Sequence, residues 1–418
     1  MERRAEPMTQ TVLLIATFDT KAEEANYLRR LIEASGCAVL AMNTGIHAPP
    51  DSAGIDLDRD TVAVAGGLSI GALEASGDKG LCIATMTTGA ARLARSLYDE
   101  GKIGGVIGIG GAQGTDIGTA AMRALPFGVP KFMVSTVASG RATFGPYVGT
   151  KDVVMMHSVA DIQGINVITA KVFANAAAAI CGMVRAAPPL AMPTARRGSI
   201  ALSMLGTTTI GALRVKSLLE AENFEVVAFH QNGTGGIAME DMIGERLFDG
   251  VLDLNLHEIG DSVYGGLHGS IRDYRLETAG RLGLPQVVAP GSINYTVQGP
   301  LAGLSPELRA RKLIVHNANL TLVRLSHEEM RETAIRTAKK LNAATGPLHV
   351  FIPLRGFSHP DREGFPHWDP EGNAIFIDTL KRGLKPSIPY DELDAHINDD
   401  EFIDAAVSAL LMMLGNRR

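Results

Sequence analysis

Short unbroken apolar runs alternate along the chain with stretches whose apolar positions recur every three or four residues. Residues 11–17 (TVLLIAT) form a continuous apolar run of the buried-strand kind. Residues 21–35 follow with Leu28, Leu31 and Ile32 on one helical face, and Gly36 supplies a C-cap. A second strand is predicted over 38–42, then a Pro/Asp loop, then a helix over 78–100 that carries Ile83, Met86, Ala90, Leu93 and Leu97 at helical spacing. Strands over 105–109 and 131–135 flank a short helix over 117–124, and a small-residue helix over 166–186 closes this half. Strands alternating with helices predict a doubly wound, mostly parallel sheet.

Residues 187–198 (APPLAMPTARRG) are Pro-rich and basic, as a linker would be, and the pattern then restarts. Strands are expected over 199–205, 225–229, 250–254 and 348–353, with helices over 213–221, 237–245, 326–342 and 401–414 and a long loop over 356–370. The expected organisation is a disordered lead-in (1–10), an N-terminal α/β domain (11–186), a linker (187–198) and a C-terminal α/β domain (199–418). The fold class is α/β, with two doubly wound, mostly parallel-sheet, Rossmann-like domains and a cleft between them.

Composition narrows the function classes. A hydrophobic share of 46% and 46 glycines without a collagen period exclude a disordered or fibrous chain. Thirty-nine Lys plus Arg against 45 Asp plus Glu give a net charge of −6 with no long basic run, so nucleic acid is not an expected partner. Cys37, Cys82 and Cys181 form no metal-knuckle spacing, which fits buried thiols in a reducing cytoplasm. The most apolar stretch, 172–184, is shorter than the roughly 20 residues of a spanning helix, and the lead-in has no signal-type apolar region, so no membrane association is expected.

In a parallel sheet, ligands bind beyond the carboxyl ends of the strands, where glycine loops and helix N-termini present backbone N–H groups. Four sets of loops sit in that position. The first is TFDTK, in which Asp19 or Thr20 is placed to cap the next helix and Lys21 to reach a phosphate. The second and strongest is GIGGAQGT, containing Gly110, Gly111, Gln113, Gly114 and Thr115. It is not the dinucleotide fingerprint, because Gln113 stands where the third glycine belongs, and no GxxxxGK[ST] loop exists. The third is STVASG, with Ser135, Thr136, Ser139 and Gly140. The fourth pairs Gly206, Thr207 and Thr208 with the NGTGG loop carrying Gly235 and Gly236, a candidate polar-substrate pocket in the second half.

Acid–base chemistry points to the second half as well. HExxH is absent, since His327 is followed by Glu-Glu-Met-Arg, and no metal site is expected. The candidate catalytic groups are His230 before NGTGG, His316 beside Asn317, and Arg355, His359, Asp361, His367 and Asp369 on or beside the long loop.

Together, TFDTK, GGAQGT, PFGVPKFMVSTVASG and YVGTKDVVMMHSVADIQGIN, with MLGTTT, FHQNGTGGIAMEDMI, HNANLTLVR, PLRGFSHPD and HINDDEF, make the chain resemble the ATP-binding family named for the plant protein that confers tomato mosaic virus resistance. The resemblance covers nearly the whole chain. It implies two α/β domains, a homodimer, and ATP with Mg2+ on the N-terminal domain at Asp19, Thr20, Lys21, Gly110, Gly111, Gln113, Gly114, Thr115, Ser135, Thr136, Ser139 and Gly140. The antiviral role of the plant members is not carried over. The stretch 292–298 (SINYTVQ) departs from the family pattern, as does the missing proline in HNANLT. The expected activity is an ATP-dependent reaction on a small polar or anionic metabolite. The alternatives are a non-catalytic nucleotide sensor that binds a protein, and an ATP-independent hydrolase or lyase using the second-half His and Asp residues.

Overall fold

The computed structural model describes residues 10–50, 54–139, 145–186 and 196–415. The chain divides into two compact units between residues 191 and 192, each built on its own parallel sheet.

The N-terminal unit runs β1 (Thr11–Ala16), α1 (Phe18–Ala34), β2 (Ala38–Asn43), α2 (Arg59–Gly66), α3 (Ile70–Ser76), α4 (Lys79–Asp99), β3 (Gly105–Gly110), α5 (Ala112–Arg123), β4 (Lys131–Ser135), α6 (Gly145–Val148), β5 (Val154–His157) and α7 (Val167–Ala186). The strands lie in the order β2-β1-β3-β4-β5, all parallel. Alternate residues of β1 point to opposite faces, and both faces are covered, which is why the strand reads as one apolar run. Val12 and Leu14 pack with Leu28 and Ile32 of α1 and Phe173 and Ile180 of α7. Leu13 and Ile15 pack with Met86 and Ala90 of α4 and Ile117 of α5. Among described helices, α7 alone has the length and apolarity of a membrane span, yet its Phe173, Ala177, Ile180, Cys181 and Val184 face is buried on the sheet.

The C-terminal unit runs β6 (Gly198–Met204), a 3-10 turn (Gly206–Thr208), α8 (Thr209–Ala221), β7 (Phe224–His230), α9 (Gly235–Gly244), β8 (Gly250–Asn255), α10 (His257–Tyr264), α11 (Thr278–Arg281) and β9 (Gln286–Gly291). There follow β10 (Tyr295–Gln298), α12 (Pro306–Arg309), β11 (Leu313–Asn317), β12 (Leu320–Arg324), α13 (His327–Leu341), β13 (Leu348–Pro353), α14 (Pro370–Gly383), β14 (Tyr390–Leu393) and α15 (Asp400–Gly415). The parallel sheet has the order β14-β13-β9-β8-β6-β7, and β10, β12 and β11 form a separate antiparallel sheet. Helices α8 and α15 cover one face through Val215, Leu219, Phe402 and Leu410. Helices α13 and α14 cover the other through Met330, Ala334, Phe376 and Leu380.

Several elements differ from the sequence expectation. Helix α5 begins at Ala112, five positions before the expected start, because Gln113, Gly114 and Thr115 belong to its first turn rather than to a loop. The expected Pro/Asp loop contains α2 and α3, whose caps Asp58 and Ser69 accept from Thr61 N and Ala72 N. The antiparallel sheet went unforeseen because its strands are only four or five residues long.

Candidate functional site

In the N-terminal unit the chain leaves β1 and β3 in opposite directions across the sheet, and a cavity of about 600 Å3 lies beyond their carboxyl ends. Thr17, Asp19, Thr20 and Lys21 line it from the start of α1, and Gly111, Ala112, Gln113 and Gly114 from the start of α5, with His47, Glu74 and Lys79 opposite. Gly111 is the cap residue of α5 and offers no side-chain acceptor. The first backbone bond there runs from Thr115 N to Gly111 O at 2.8 Å, so the N–H groups of Ala112, Gln113 and Gly114 precede the ladder at the positive end of the helix dipole. Gly110 and Gly114 let the helix lie on the strand end: a Cβ on Gly110 would stand 2.7 Å from Gly114 Cα. At Gly111 an added Cβ meets nothing nearer than Thr136 Oγ1, at 3.7 Å.

Asp19 and Thr20 do not cap α1 as expected. Thr17 occupies the cap position, and Asp19 Oδ2 instead accepts from His47 N at 3.1 Å, pinning the loop after β2. Helical geometry breaks at Lys21 (φ −129°, ψ 23°). The third loop is not in the cavity wall. Thr115 and Ser135 are buried and bond each other through their hydroxyls at 2.6 Å, tying α5 to β4, so neither is free for a ligand. Thr136 and Ser139 lie outside the wall as well, and Gly140 lies outside the described residues.

The C-terminal unit repeats the topology, with its reversal between β6 and β8, and holds a cavity of about 560 Å3. Gly206 and Thr207 line it after β6, and His230 and Asn232 at the end of β7. His268, His316, His359 and Tyr295 complete the polar wall, while Leu205, Val297, Leu320 and Leu322 supply the apolar one. The cavity thus joins His230, His316, Gly206 and Thr207, and among the described residues its lining holds neither a Lys or Arg nor a carboxylate. Behind it runs a hydrogen-bonded chain. Asn255 Nδ2 donates to Ser292 Oγ (2.8 Å), which bonds Thr207 Oγ1 (2.6 Å), which bonds the Tyr295 hydroxyl (2.9 Å). Burial pushes the Tyr295 phenol up to about 12, so it stays protonated.

The other second-half candidates have structural work instead. Thr208 is buried, with Oγ1 bonded to Leu205 and Asn255. Two N–H groups of the NGTGG loop turn inward, those of Gly233 and Gly236, which donate to Glu258 Oε1 at 2.8 and 3.2 Å. A Cβ on Gly235 would meet His230 O at 1.8 Å, and one on Gly236 would meet Glu258 Oε2 at 1.8 Å, so both glycines make room rather than contact substrate. Arg355 pairs with Asp394 at 2.6 Å with its side chain 62% exposed, outside the cavity wall. Asp369 caps α14, accepting from Gly372 N at 3.2 Å, and takes His327 Nε2 at 3.2 Å. The local signal for that cap was the Asp-Pro-Glu start, with Pro at the first helical position.

Glu258 belongs to a buried cluster in which Arg275 pairs with Asp253 (2.6 Å), Glu258 (3.3 Å) and Glu240 (3.4 Å). One guanidinium faces three carboxyl groups there. Burial pushes Glu240 and Glu258 above the ordinary carboxylate range despite that cation. Burial also opposes the charge on Arg275, but Asp253, Glu240 and Glu258 outweigh it and hold the guanidinium protonated.

Sequence reasoning passed over His257, His268, Ser292 and Tyr295 as site residues. His257 follows β8 by two residues, a strand-end position that was a usable signal. Tyr295 and Ser292 come from the stretch 292–298, so the segment that departs from the family pattern builds one wall of this cavity.

Two doubly wound α/β domains, each with a cavity where its strand order reverses, define a two-domain Rossmann-like protein. The chain belongs to the Uncharacterised protein family (UPF0261): residues 10–189 match its N-terminal domain and residues 197–414 its C-terminal domain. It is 38% identical to a UPF0261 protein of Clostridium tetani over 97% of this chain and 100% of that one. A UPF0261 protein of Rhizobium meliloti is 36% identical over 95% of this chain and 98% of its own length. The ToMV resistance protein Tm-1 of Solanum lycopersicum is 32% identical over 97% of this chain and 56% of that protein.

Proposed function

We propose that the N-terminal domain binds ATP with Mg2+, and that the chain uses the nucleotide in a reaction on a small polar metabolite held by the C-terminal domain. The observation that carries the reading is the open start of α5: three N–H groups at a helix N-terminus, on a cavity that Lys21 and Lys79 also line, where the strand order reverses. The cavity is of the size that small-molecule sites have. Lys21 and Lys79 offset phosphate charge, and Asp19 with Thr20 offers the hard oxygen atoms that Mg2+ prefers beside phosphates. Magnesium, when bound, would neutralise charge as it develops on the phosphates.

Titration of the full chain with ATP and Mg2+ by calorimetry tests this directly. Saturable, Mg2+-dependent heat that disappears in Gly111→Val is the expected result, because the added Cβ has room in the fold and the isopropyl group occupies the phosphate approach. Absence of heat with the wild-type chain, or unchanged binding in the variant, overturns the reading. Phosphate release on the same sample, with and without small carboxylates and sugars, separates an ATP-dependent enzyme from a nucleotide sensor.

A further inference from the structure

His268 in the wall of the C-terminal cavity pairs with His257 buried behind it, and their hydrogen bonds set both tautomers. His257 is fully buried, and its Nδ1 lies 3.2 Å from the backbone oxygen of Ser292, which only accepts. Nδ1 of His257 therefore carries the proton, and in the neutral ring Nε2 is an acceptor. His268 Nδ1 stands 3.3 Å from that Nε2 and must donate to it. The tautomer of His268 follows: Nδ1 is protonated, and the lone pair is on Nε2, on the far side of the ring from its partner.

Both rings are held in place. The His268 backbone N–H donates to Asp261 Oδ2 at 2.6 Å, and Gly233, at φ +94°, lies so close that a Cβ there would be 3.2 Å from His268 Cα. His257 stacks on Tyr295 with centroids 4.7 Å apart. Burial pulls both imidazoles below their ordinary range, His257 to about 4, with His230 lowering each further and Asp261 opposing. His268 is thus neutral at pH 7, and the Asp261 carboxylate is near enough to steady a positive charge when the ring takes up a proton.

The lining says which ligand suits such a base. With neither a Lys or Arg nor a carboxylate in the wall, an anionic or cationic ligand would lose its hydration without a counter-charge. Hydroxyls and a carbonyl would instead meet Asn232, Thr207, Tyr295 and the rim histidines, with the leucines against the carbon skeleton. When each hydroxyl of the chain from the Asn255 amide donates to the next, through Ser292 and Thr207, the Tyr295 O–H is left as the last donor, suited to a carbonyl oxygen.

We propose that His268 is the general base of a reaction centre in this cavity, one that removes a proton from the carbon beside the carbonyl of an uncharged hydroxycarbonyl compound such as a small ketose. Nε2 takes the proton, the C–H electron pair becomes the new carbon–carbon π bond, and the carbonyl π pair moves to oxygen, which Tyr295 hydrogen-bonds. Return of the proton from the imidazolium to the former carbonyl carbon, as the hydroxyl proton on the first carbon passes to the former carbonyl oxygen and that first carbon takes the new C=O, completes an isomerisation that needs no co-reactant. His257 is the positioning residue. The inference rests on the C-terminal cavity being a ligand site, as proposed above, and holds whether or not ATP binds.

Dihydroxyacetone is the probe. In D2O without nucleotide, the full chain is expected to wash deuterium into its carbon-bound positions, followed by proton NMR, with a rate on the order of 10²-fold above that of His268→Asn. The rate should rise with pH to a plateau whose midpoint lies below 6.5, the ordinary value for imidazole. His257→Gln, which keeps an acceptor for His268 Nδ1, should retain activity that His257→Phe loses. Nitrogen-15 spectra of the wild-type chain should show His268 with Nδ1 protonated and Nε2 bare at pH 7. Exchange at the buffer rate with wild type, exchange that survives in His268→Asn, or the Nε2-protonated tautomer each overturns the assignment. Stronger shifts at His268 with 3-phosphoglycerate than with dihydroxyacetone overturn the uncharged class. ATP calorimetry on the same samples reads the N-terminal site separately, so failure of one proposal is distinguishable from failure of the other.

Discussion

The two units share a strand order around their first strand but use the reversal point in opposite ways. In the N-terminal unit the glycine-rich helix start is open, and lysines accompany it in the cavity wall. In the C-terminal unit a glycine turn after β7 is held from within by Glu258, and the neighbouring cavity is lined by His230, His268, His316 and His359. On the readings proposed above, one topology would serve an anion-seeking site and an uncharged one, the difference lying in the residues that line each cavity.

Acid should separate the units most strongly. His257, His367 and His396, all in the C-terminal unit, are buried and pulled to about 4 by desolvation, from 6.5. Between those values these three sites bind more protons in the unfolded chain than in the folded one, so their contribution to unfolding free energy falls as pH falls from about 6.5 towards 4, while the raised Glu240 and Glu258 carboxyls act in the opposite sense. Each imidazole contributes about 1.4 kcal/mol per pH unit. Denaturant unfolding at pH 7 and pH 5 should show the C-terminal transition moving far more than the N-terminal one, and equal movement would contradict these three burials.

Arg275→Met strands Glu240, Asp253 and Glu258 without a cation and should cost roughly 3–5 kcal/mol of C-terminal stability, read from the same denaturation curves. An unchanged midpoint would mean that Glu258 is not anchored as described. In the N-terminal unit, Gly110→Ala drives a Cβ into Gly114 Cα and should destabilise the domain, whereas Gly111→Val should leave its melting midpoint in place. Lys21→Ala should weaken Mg-ATP binding by about tenfold, worth roughly 1.4 kcal/mol, with an effect that shrinks as salt rises. The smallest effect is expected of Arg355→Ala, whose exposed pair with Asp394 should leave the unfolding midpoint where it is.

Much of the architecture was legible in the sequence, because strands buried on both faces write themselves as apolar runs, as at β1 and β3, and their amphipathic helices follow at helical spacing. The start of α5 was misplaced because glycine is a poor helix former in isolation, and only the close approach of Gly114 to β3 makes it useful there. Placement after a strand identified Lys21, Gly111, His230 and Thr207 as candidates, and each does line a cavity. The same rule did not foresee that Gly235 lies against the His230 backbone oxygen, nor that Gly236 donates to a carboxyl group more than 20 residues further on, in α10. His257 and His268 escaped for a similar reason: their pairing is made by a turn after α10 that has no spacing rule of its own.

The Glu258 side chain deserves to be seen as a resident occupant. Because its Oε1 already takes the N–H groups of Gly233 and Gly236, any phosphate approaching that turn would have to displace a carboxyl group tethered at very high local concentration. On the readings proposed above, such a tethered group would leave phosphate esters to the first domain and neutral molecules to the second without any change in strand direction.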